Sequence, residues 1–306
     1  MKSYVSTSLG PIARINEARN LYVKYTDNMS SKVRELVEDA SCSEARISQL
    51  LGREVSGLRM LEIGPGQQLA QLAYFSRGND VVGIDLDTIL PTLSVHGVFK
   101  MLRHNGLMRT TKTVVRKALR IDSRVRSRLT AELGLSEMPE LRVEQMDATR
   151  MGFPDDHFDV VYSRSVFEHL RDPSAVLAET HRVLRPGGVM YIRLHLYTSD
   201  SGSHDSRIYI DQREDLPYWA HLRPEHAHKV RSNTYLNRLR LLEWRRIFLE
   251  KMPDANVVAL QSDSARGREE LRRLRDAGEL SEYSDEELFA TTVEASWRKP
   301  VSASGH

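Results

Sequence analysis

The sequence predicts a doubly wound α/β fold, in which helices cover both faces of a mostly parallel β-sheet. Short apolar runs rich in β-branched residues recur along the chain, and stretches with helical spacing separate most of them. Strands that alternate with helices form right-handed β-α-β units, which produce a parallel sheet. Seven segments are interpreted as strands, at residues 59–63, 80–85, 141–146, 158–162, 189–194, 256–260 and 290–297.

The segments around these strands define the domain organisation. Apolar residues at helical spacing within residues 15–53 predict a helical cap ahead of the first strand. Two stretches are longer than a connection in such a fold needs, and long segments of this kind are more often functional than idle. One is a basic helical insertion at 88–138 and the other an irregular insertion at 196–233. The predicted organisation is a cap over 1–55, a main domain over 56–300 and a tail over 301–306.

Composition narrows the class of protein. The chain has 44 basic and 42 acidic residues, a balance that argues against a general nucleic-acid-binding protein. Its single cysteine, Cys42, cannot form an intramolecular disulfide, so we expect a reducing, cytoplasmic setting. The N-terminus has no apolar core typical of a signal peptide. No apolar run approaches the roughly 20 residues that a membrane-spanning helix needs.

A glycine-containing turn follows the first strand. In Gly64-Pro65-Gly66 the glycines allow the backbone to approach a ligand closely, at the strand end where doubly wound folds bind cofactors. Such a turn serves NAD, flavin or S-adenosylmethionine, or is only a tight turn. Asp85, at the end of the second strand, can accept hydrogen bonds from ribose hydroxyls. The third glycine of the dinucleotide pattern is missing from Gly66-Gln67-Gln68-Leu69, which disfavours NAD.

Three further blocks decide between these cofactors. They are DATRMGFPDDHFDVV (147–161), VFEHLRDP (166–173) and RVLRPGG (182–188). Together with residues 61–66 and 82–85, they resemble the core of the class I S-adenosylmethionine-dependent methyltransferases, in the order of that family. The resemblance implies S-adenosylmethionine as the cofactor and a seven-stranded sheet whose last strand is antiparallel.

The resemblance also implies roles for the residues at the strand ends. Gly64, Pro65 and Gly66 would line the methionine end of the cofactor, while Glu62 braces the glycine turn. Asp85 would hold the ribose, and Leu86 is a further cofactor-binding candidate beside it. Asp147 would meet the adenine amino group, Ala148 would contribute its backbone, and Ser163 would lie beside the sulfonium.

Methyl transfer to a hydroxyl group also requires a proton acceptor, and a histidine near neutral pKa suits that role. His195 ends the fifth strand, His204 lies in the following loop, and His169 begins the segment after the fourth strand. We predict His195 as the base, with His204 and His169 as alternatives, although each of them could simply pack. Tyr197 and Asp205 are candidates for binding the substrate. The histidine and aspartate spacing matches no compact metal-ligand motif, so no metal is predicted.

The acceptor is predicted to be a small molecule. Residues 163–166 read SRSV, which lacks the Asn-Pro-Pro-Tyr-like block of enzymes that methylate amino groups of adenine or glutamine amides. No cysteine lies near this segment, which excludes covalent attack on cytosine C5. These absences favour a hydroxyl or carboxyl oxygen as the acceptor atom, with nitrogen second.

Basic residues are concentrated in the insertion, and Arg116 and Arg120 lie four residues apart on one helical face. They could bind an anionic acceptor or anionic lipid, or form a solvated face. Two alternative functions are an RNA or protein methyltransferase that uses this basic helix, and a regulator that binds S-adenosylmethionine without catalysis. The oligomeric state is left open.

Overall fold

The computed structural model describes residues 29–87, 121–209, 213, 215–232, 234–262 and 264–301. These residues form two compact units. The C-terminal unit contains Arg164–Leu177 and Ile192–Trp297. The N-terminal unit contains the described residues up to Ser163, together with Ala178–Tyr191 and residues 298–301.

The described secondary structure alternates between strands and helices. The strands are β1 (Arg59–Ile63), β2 (Asp80–Asp85), β3 (Arg142–Gln145), β4 (Phe158–Arg164), β5 (Leu184–His195), β6 (Asn256–Gln261) and β7 (Ala290–Arg298). The helices are α1 (Met29–Leu51), α2 (Ala70–Phe75), α3 (Ile121–Glu132), α4 (Pro173–Val183), α5 (Ser206–Tyr209), α6 (Leu241–Lys251), α7 (Ala265–Asp276) and α8 (Asp285–Phe289).

The strands form a seven-stranded sheet with the order β3-β2-β1-β4-β5-β7-β6. Strand β1 pairs in parallel with both β2 and β4, and β7 runs antiparallel to β6. The doubly wound fold class and the antiparallel last strand are therefore confirmed. The order reverses direction after β1, which is the switch point where such sheets bind ligands.

Strand β5 begins earlier than the sequence predicts. The strand was predicted to begin at Val189, but β5 already begins at Leu184. The end of the chain explains the difference, because Gly187 N–H donates to the Lys299 carbonyl (2.8 Å) and Lys299 N–H donates to the Gly188 carbonyl (2.9 Å). Gly187 has a φ of +79°, which an L side chain rarely adopts.

The N-terminal unit has an apolar core in which α1 packs on α2 and the central strands. Ile47, Leu72, Phe75, Met60 and Val160 are almost completely buried in it. Two polar contacts fasten α1 to α2, one from Gln71 Nε2 to Asp39 Oδ2 (2.9 Å) and one from the Tyr74 hydroxyl to Glu44 (2.6 Å). The helical character expected for residues 15–53 is found from Met29 onward; residues 15–28 lie outside the described part.

The described part of the basic insertion contains α3. Val125 and Leu129, four residues apart, are buried on one face, whereas Arg124 and Arg128 are exposed. In this stretch the arginines thus lie on the solvated side of an amphipathic helix. Residues 88–120 lie outside the described part.

The C-terminal unit has its own core, in which Trp219 packs among Leu271, Leu274, Leu288 and Phe289. Short helical turns interrupt the segment predicted as irregular, at Asp200–Ser203, Ser206–Tyr209, Ala220–Leu222 and Ala227–Lys229. Across the described residues of both units, no helix is long and apolar enough to cross a membrane.

Candidate active site

The glycine turn lies at the carboxyl end of β1 in the N-terminal unit. Gly64 and Gly66 both have positive φ, +71° and +63°, so a side chain at either would strain the backbone. Gly64 N–H donates to the Ile84 carbonyl at 2.8 Å, which fixes the turn against β2. A Cβ built at Gly66 would meet no atom within 4 Å among the described residues, so the turn borders open space.

Pro65 depends on a further glycine. A Cβ at Gly83 would lie 2.9 Å from Pro65 Cγ, so only glycine in β2 lets the proline pack this closely. Strand β2 therefore supports the glycine turn in two ways: Gly83 lets Pro65 pack closely, and the Ile84 carbonyl accepts a hydrogen bond from Gly64. Such rigid support suits a loop that must present its backbone to a ligand.

The ends of β2 and β3 carry two of the predicted cofactor residues. Asp85 ends β2, and its Oδ1 accepts from the Asp87 N–H at 2.8 Å. Leu86, the next residue, is 68% exposed, which is high for a large apolar side chain. An exposed leucine beside a carboxylate offers an apolar surface and a hydroxyl acceptor together, as an adenosine requires.

Asp147 and Ala148 follow β3. Asp147 is exposed, and its Oδ1 accepts from both the N–H (2.9 Å) and the hydroxyl (2.7 Å) of Thr149. This turn holds the carboxylate in place, while Ala148 is half-buried.

Glu62 and Ser163 are buried inside the sheet. Glu62 is 3% exposed and accepts from the buried Tyr162 hydroxyl at 3.0 Å, and its role as a brace for the glycine turn stays a prediction. Burial, followed by the charge of Glu62, raises the pKa of Tyr162 well above its usual value, so the phenol stays protonated and donates. The Ser163 hydroxyl donates to the Ile63 carbonyl at 2.8 Å, which ties the end of β4 to the end of β1.

In the C-terminal unit, the structure brings together all three histidines predicted as bases. The rings of His169, His195 and His204, hereafter the histidine cluster, lie close to one another. The His204 ring centroid is 5.0 Å from that of His195 and 5.0 Å from that of His169. Burial, with neighbouring histidines contributing, lowers the pKa of His195 to about 4 and that of His204 to about 3. Both rings are therefore neutral near pH 7.

Hydrogen bonds orient the rings of His169 and His195. His169 Nδ1 lies 2.8 Å from the Tyr235 carbonyl, which can only accept, so Nδ1 carries the proton and Nε2 the lone pair. His195 Nε2 lies 2.9 Å from Ser201 Oγ and 3.3 Å from Ser199 Oγ. Ser199 donates its own proton to the Leu196 carbonyl, so two hydroxyl groups hold the Nε2 edge of the His195 ring and Nδ1 is the ring nitrogen left for a proton from outside the cluster.

Glu168 lies beside this cluster and was not singled out from the sequence. Its side chain is 3% exposed, and Oε1 is 3.9 Å from His169 Nε2. Burial raises the pKa of Glu168 to about 7. The only signal in the sequence was its place in the VFEHLRDP block, where the adjacent histidine drew attention instead.

Asp205 and Tyr197, the two residues predicted to bind substrate, both contact other residues of the protein. The carboxylate of Asp205 accepts from the Arg207 guanidinium (2.7 and 3.0 Å) and from the Arg231 N–H (2.8 Å), and the residue is fully buried. No contact joins this carboxylate to the His204 ring among the described residues. The ring of Tyr197 packs edge-on against His221, whose Nε2 lies 2.7 Å from the Tyr197 carbonyl. Their assignment to substrate binding stays a prediction, as does that of Arg116 and Arg120, which lie outside the described residues.

A family model described as a methyltransferase domain matches residues 32–244, which is more than half of the chain. The chain belongs to the class I S-adenosylmethionine-dependent methyltransferases. The match includes both the glycine turn and the histidine cluster. The family resemblance carried by the sequence blocks is thereby confirmed.

Individual relatives of this methyltransferase differ in their acceptors. It is 27% identical over 157 residues to phosphoethanolamine N-methyltransferase 3 of Arabidopsis thaliana, covering 50% of this chain and 26% of that protein. It is 27% identical over 184 residues to a ubiquinone biosynthesis O-methyltransferase of Bradyrhizobium sp., covering 60% of this chain and 53% of that protein. The chain thus spans about a quarter of the first relative and about half of the second.

Among solved structures, the methyltransferase resembles an S-adenosylmethionine-dependent methyltransferase from Mesorhizobium loti. The match has 17% identity and a TM-score of 0.39, and it covers 84% of this chain and 98% of that one.

Proposed function

We propose that this methyltransferase transfers the methyl group of S-adenosylmethionine to an oxygen atom of a small molecule, and that His195 receives the acceptor proton. The observation that carries the proposal is the set of neutral imidazoles in the C-terminal unit, because a hydroxyl nucleophile must lose its proton to such a group. The single cysteine, Cys42, is exposed and free, which fits a reducing cytoplasm as the setting.

The N-terminal unit offers groups that fit the cofactor. Gly64 and Gly66 both have positive φ, and Gly66 borders open space at the end of β1, as the methionine end of the cofactor would need. Asp85 and Leu86 offer a carboxylate for the ribose and an apolar surface for the base. When bound, the cofactor supplies a methyl group activated by a positive sulfur.

His195 is suited to be the proton acceptor because its hydrogen bonds orient it. Ser199 and Ser201 lie at Nε2 and orient the ring, and we assign the proton to Nε2 and the lone pair to Nδ1. In this assignment Nδ1 would receive the proton of the acceptor oxygen when that oxygen is methylated. Burial lowers the pKa of His195 to about 4, below the near-neutral value expected from the sequence; the ring is therefore unprotonated at neutral pH but is a weaker base than expected.

A second candidate function is methylation of an amine. The Arabidopsis relative is named as an N-methyltransferase, whereas the Bradyrhizobium relative is named as an O-methyltransferase. Arg116 and Arg120, in the basic insertion, are our candidates for binding an anionic group of the acceptor, such as a phosphate or carboxylate.

The experiment is a turnover assay with matched acceptors. Production of S-adenosylhomocysteine is measured with hydroxyl, carboxyl and amine forms of the same scaffolds, each with and without a phosphate group, and the methylated atom is located by mass spectrometry. We expect an oxygen-methylated product. Methylation of the amine forms alone would replace this proposal with the second candidate.

A further inference from the structure

We propose that Glu168, His169 and His204 form a binding site for a divalent transition-metal ion, with zinc as the best match. The site goes beyond the proposed methyl transfer, and its test needs no acceptor. One carboxylate oxygen and one nitrogen from each ring lie within 4.8 Å of one another. Two imidazoles and a carboxylate suit zinc and related ions, and three protein ligands leave a position open for a further oxygen ligand.

The first argument comes from the carboxylate. Both oxygens of Glu168 are buried and have no hydrogen-bond partner among the described residues. The backbone N–H groups of Glu168 and His195 face the carboxylate and lower its pKa, but no side-chain donor forms a hydrogen bond with it among the described residues. A buried carboxylate without partners is costly, and coordination of a cation removes that cost.

The second argument comes from the direction of the ring lone pairs. Since Nδ1 of His169 donates to the Tyr235 carbonyl, its Nε2 lone pair is on the side of Glu168, 3.9 Å from Oε1. His204 Nε2 is also buried without a hydrogen-bond partner among the described residues. One carboxylate oxygen and one nitrogen of each ring therefore lie close enough together for a single cation to contact all three. A carbonyl bonded to the other ring nitrogen is also what metal-binding histidines usually have.

The third argument is that the ligands are held by a rigid frame. Asn237 Nδ2 donates to the carbonyls of Phe167 (2.8 Å) and Leu170 (3.2 Å), and Asn237 N–H donates to that of Glu168 (2.9 Å). These bonds fix the backbone of the turn Phe167–His169 that carries two of the ligands.

Zinc binding needs a small movement of the side chains. Ligand atoms bound to one zinc ion at about 2.1 Å lie roughly 3.4 Å apart, so the three ligand atoms must approach one another by about an ångström.

The proposal departs from the sequence-based expectation that no metal is bound. That expectation considered His195, His204, Asp205 and His221, and the structure engages the last two elsewhere, Asp205 with arginine and His221 with a carbonyl. The set found here replaces them with Glu168 and His169. His195 is not one of the three ligands and keeps its proposed role as proton acceptor.

The test is titration of the full, metal-free chain with zinc chloride by calorimetry, repeated with cobalt(II), whose visible absorption reports tetrahedral coordination. The variants are Glu168→Gln, His169→Asn and His204→Asn, with the exposed His228→Asn as the matched control. We expect one ion per wild-type chain and per control chain. Each ligand variant should bind at least about 100-fold more weakly, because loss of even outer-shell partners costs 10–100-fold.

Circular dichroism and thermal unfolding of each variant show whether it is folded. Zinc should also raise the melting temperature of the wild type and of His228→Asn, but not of Glu168→Gln, which preserves side-chain shape. Absence of stoichiometric binding in the wild type would overturn the proposal. Binding that persists unchanged in folded Glu168→Gln and His204→Asn chains would overturn it equally.

Discussion

Asp85 ends β2 with one carboxylate oxygen bonded to the Asp87 N–H, where a ribose hydroxyl would be bound. Replacing Asp85 with alanine should weaken binding of S-adenosylmethionine by roughly 1.5–3 kcal/mol, since hydrogen bonds to a charged group are worth that much. Calorimetry measures the change. The control is Asp80→Ala at the other end of the same strand, where an exposed pair with Arg142 is lost (2.9 Å). Unchanged affinity in a folded Asp85→Ala chain would contradict the assignment.

His195 should matter for turnover and not for cofactor affinity. We expect His195→Gln to lower kcat by about 10²–10⁴-fold, the usual contribution of a general base. Steady-state kinetics with the acceptor identified by the turnover assay, together with cofactor calorimetry, measure both quantities. His228→Gln, at an exposed histidine, should leave both unchanged. If His195→Gln retains turnover within a few-fold, His195 only packs against Ser199 and Ser201.

The importance of Glu168 is visible only in the structure. In the sequence it is one acid among the chain's 42 acidic residues, adjacent to a histidine that had already been selected. Only burial, which depends on residues far along the chain, turns it into a carboxylate in need of a cation or a proton.

At the scale of elements, the loop after β5 determines where His204 lies. The turn Asp200–Ser203 ends at His204, which has a positive φ of +57°. Gly202 allows the turn to close, because a Cβ there would overlap the Tyr197 carbonyl oxygen and lie 2.5 Å from that of Leu196. This turn therefore tolerates no side chain at Gly202.

Gly202→Ala should destabilise the protein by about 1–3 kcal/mol, the cost of overpacking. Urea unfolding measures the loss. The matched control is Gly78→Ala, where a new Cβ would lie 3.8 Å from Ser56 Oγ, at ordinary contact distance, and the change should stay within about 0.5 kcal/mol. Equal stability of the two variants would mean that the turn relaxes without cost.

The bounds of the strands were predicted with uneven accuracy, depending on whether local turns or long-range pairing set them. Strands β2 and β6 match the sequence-based bounds almost residue by residue, because turn residues bound their apolar runs. Strand β5 begins five residues before the predicted start, since its first residues pair with Lys299 at the end of the chain. Pairing between residues so far apart leaves no local pattern to recognise.

For the whole molecule, cofactor binding should appear as added stability. A ligand that binds only the folded chain stabilises it by about 2.7 kcal/mol at 100 times its Kd. We expect S-adenosylmethionine to raise the melting temperature measured by differential scanning fluorimetry, and NAD at the same concentration to leave it unchanged. Stabilisation by NAD alone would contradict the cofactor assignment.

The fold class, the family and the residues that lie at the ends of the first four strands could be predicted from the sequence. These features could be predicted because each depends on residues that are neighbours in the chain. A strand that ends in Gly64-Pro65-Gly66 specifies its own turn, and Asp85 and Asp147 follow their strands directly.

Only the tertiary structure decided how the polar residues of the C-terminal unit are paired. Asp205, adjacent to His204 in sequence, is held by Arg207 and the backbone of Arg231 instead. His169 receives its tautomer from a carbonyl 66 residues away, and Glu168 becomes a ligand candidate only through burial. Burial and long-range hydrogen bonds set the protonation of these carboxylates and imidazoles, and local residue patterns predict neither of them.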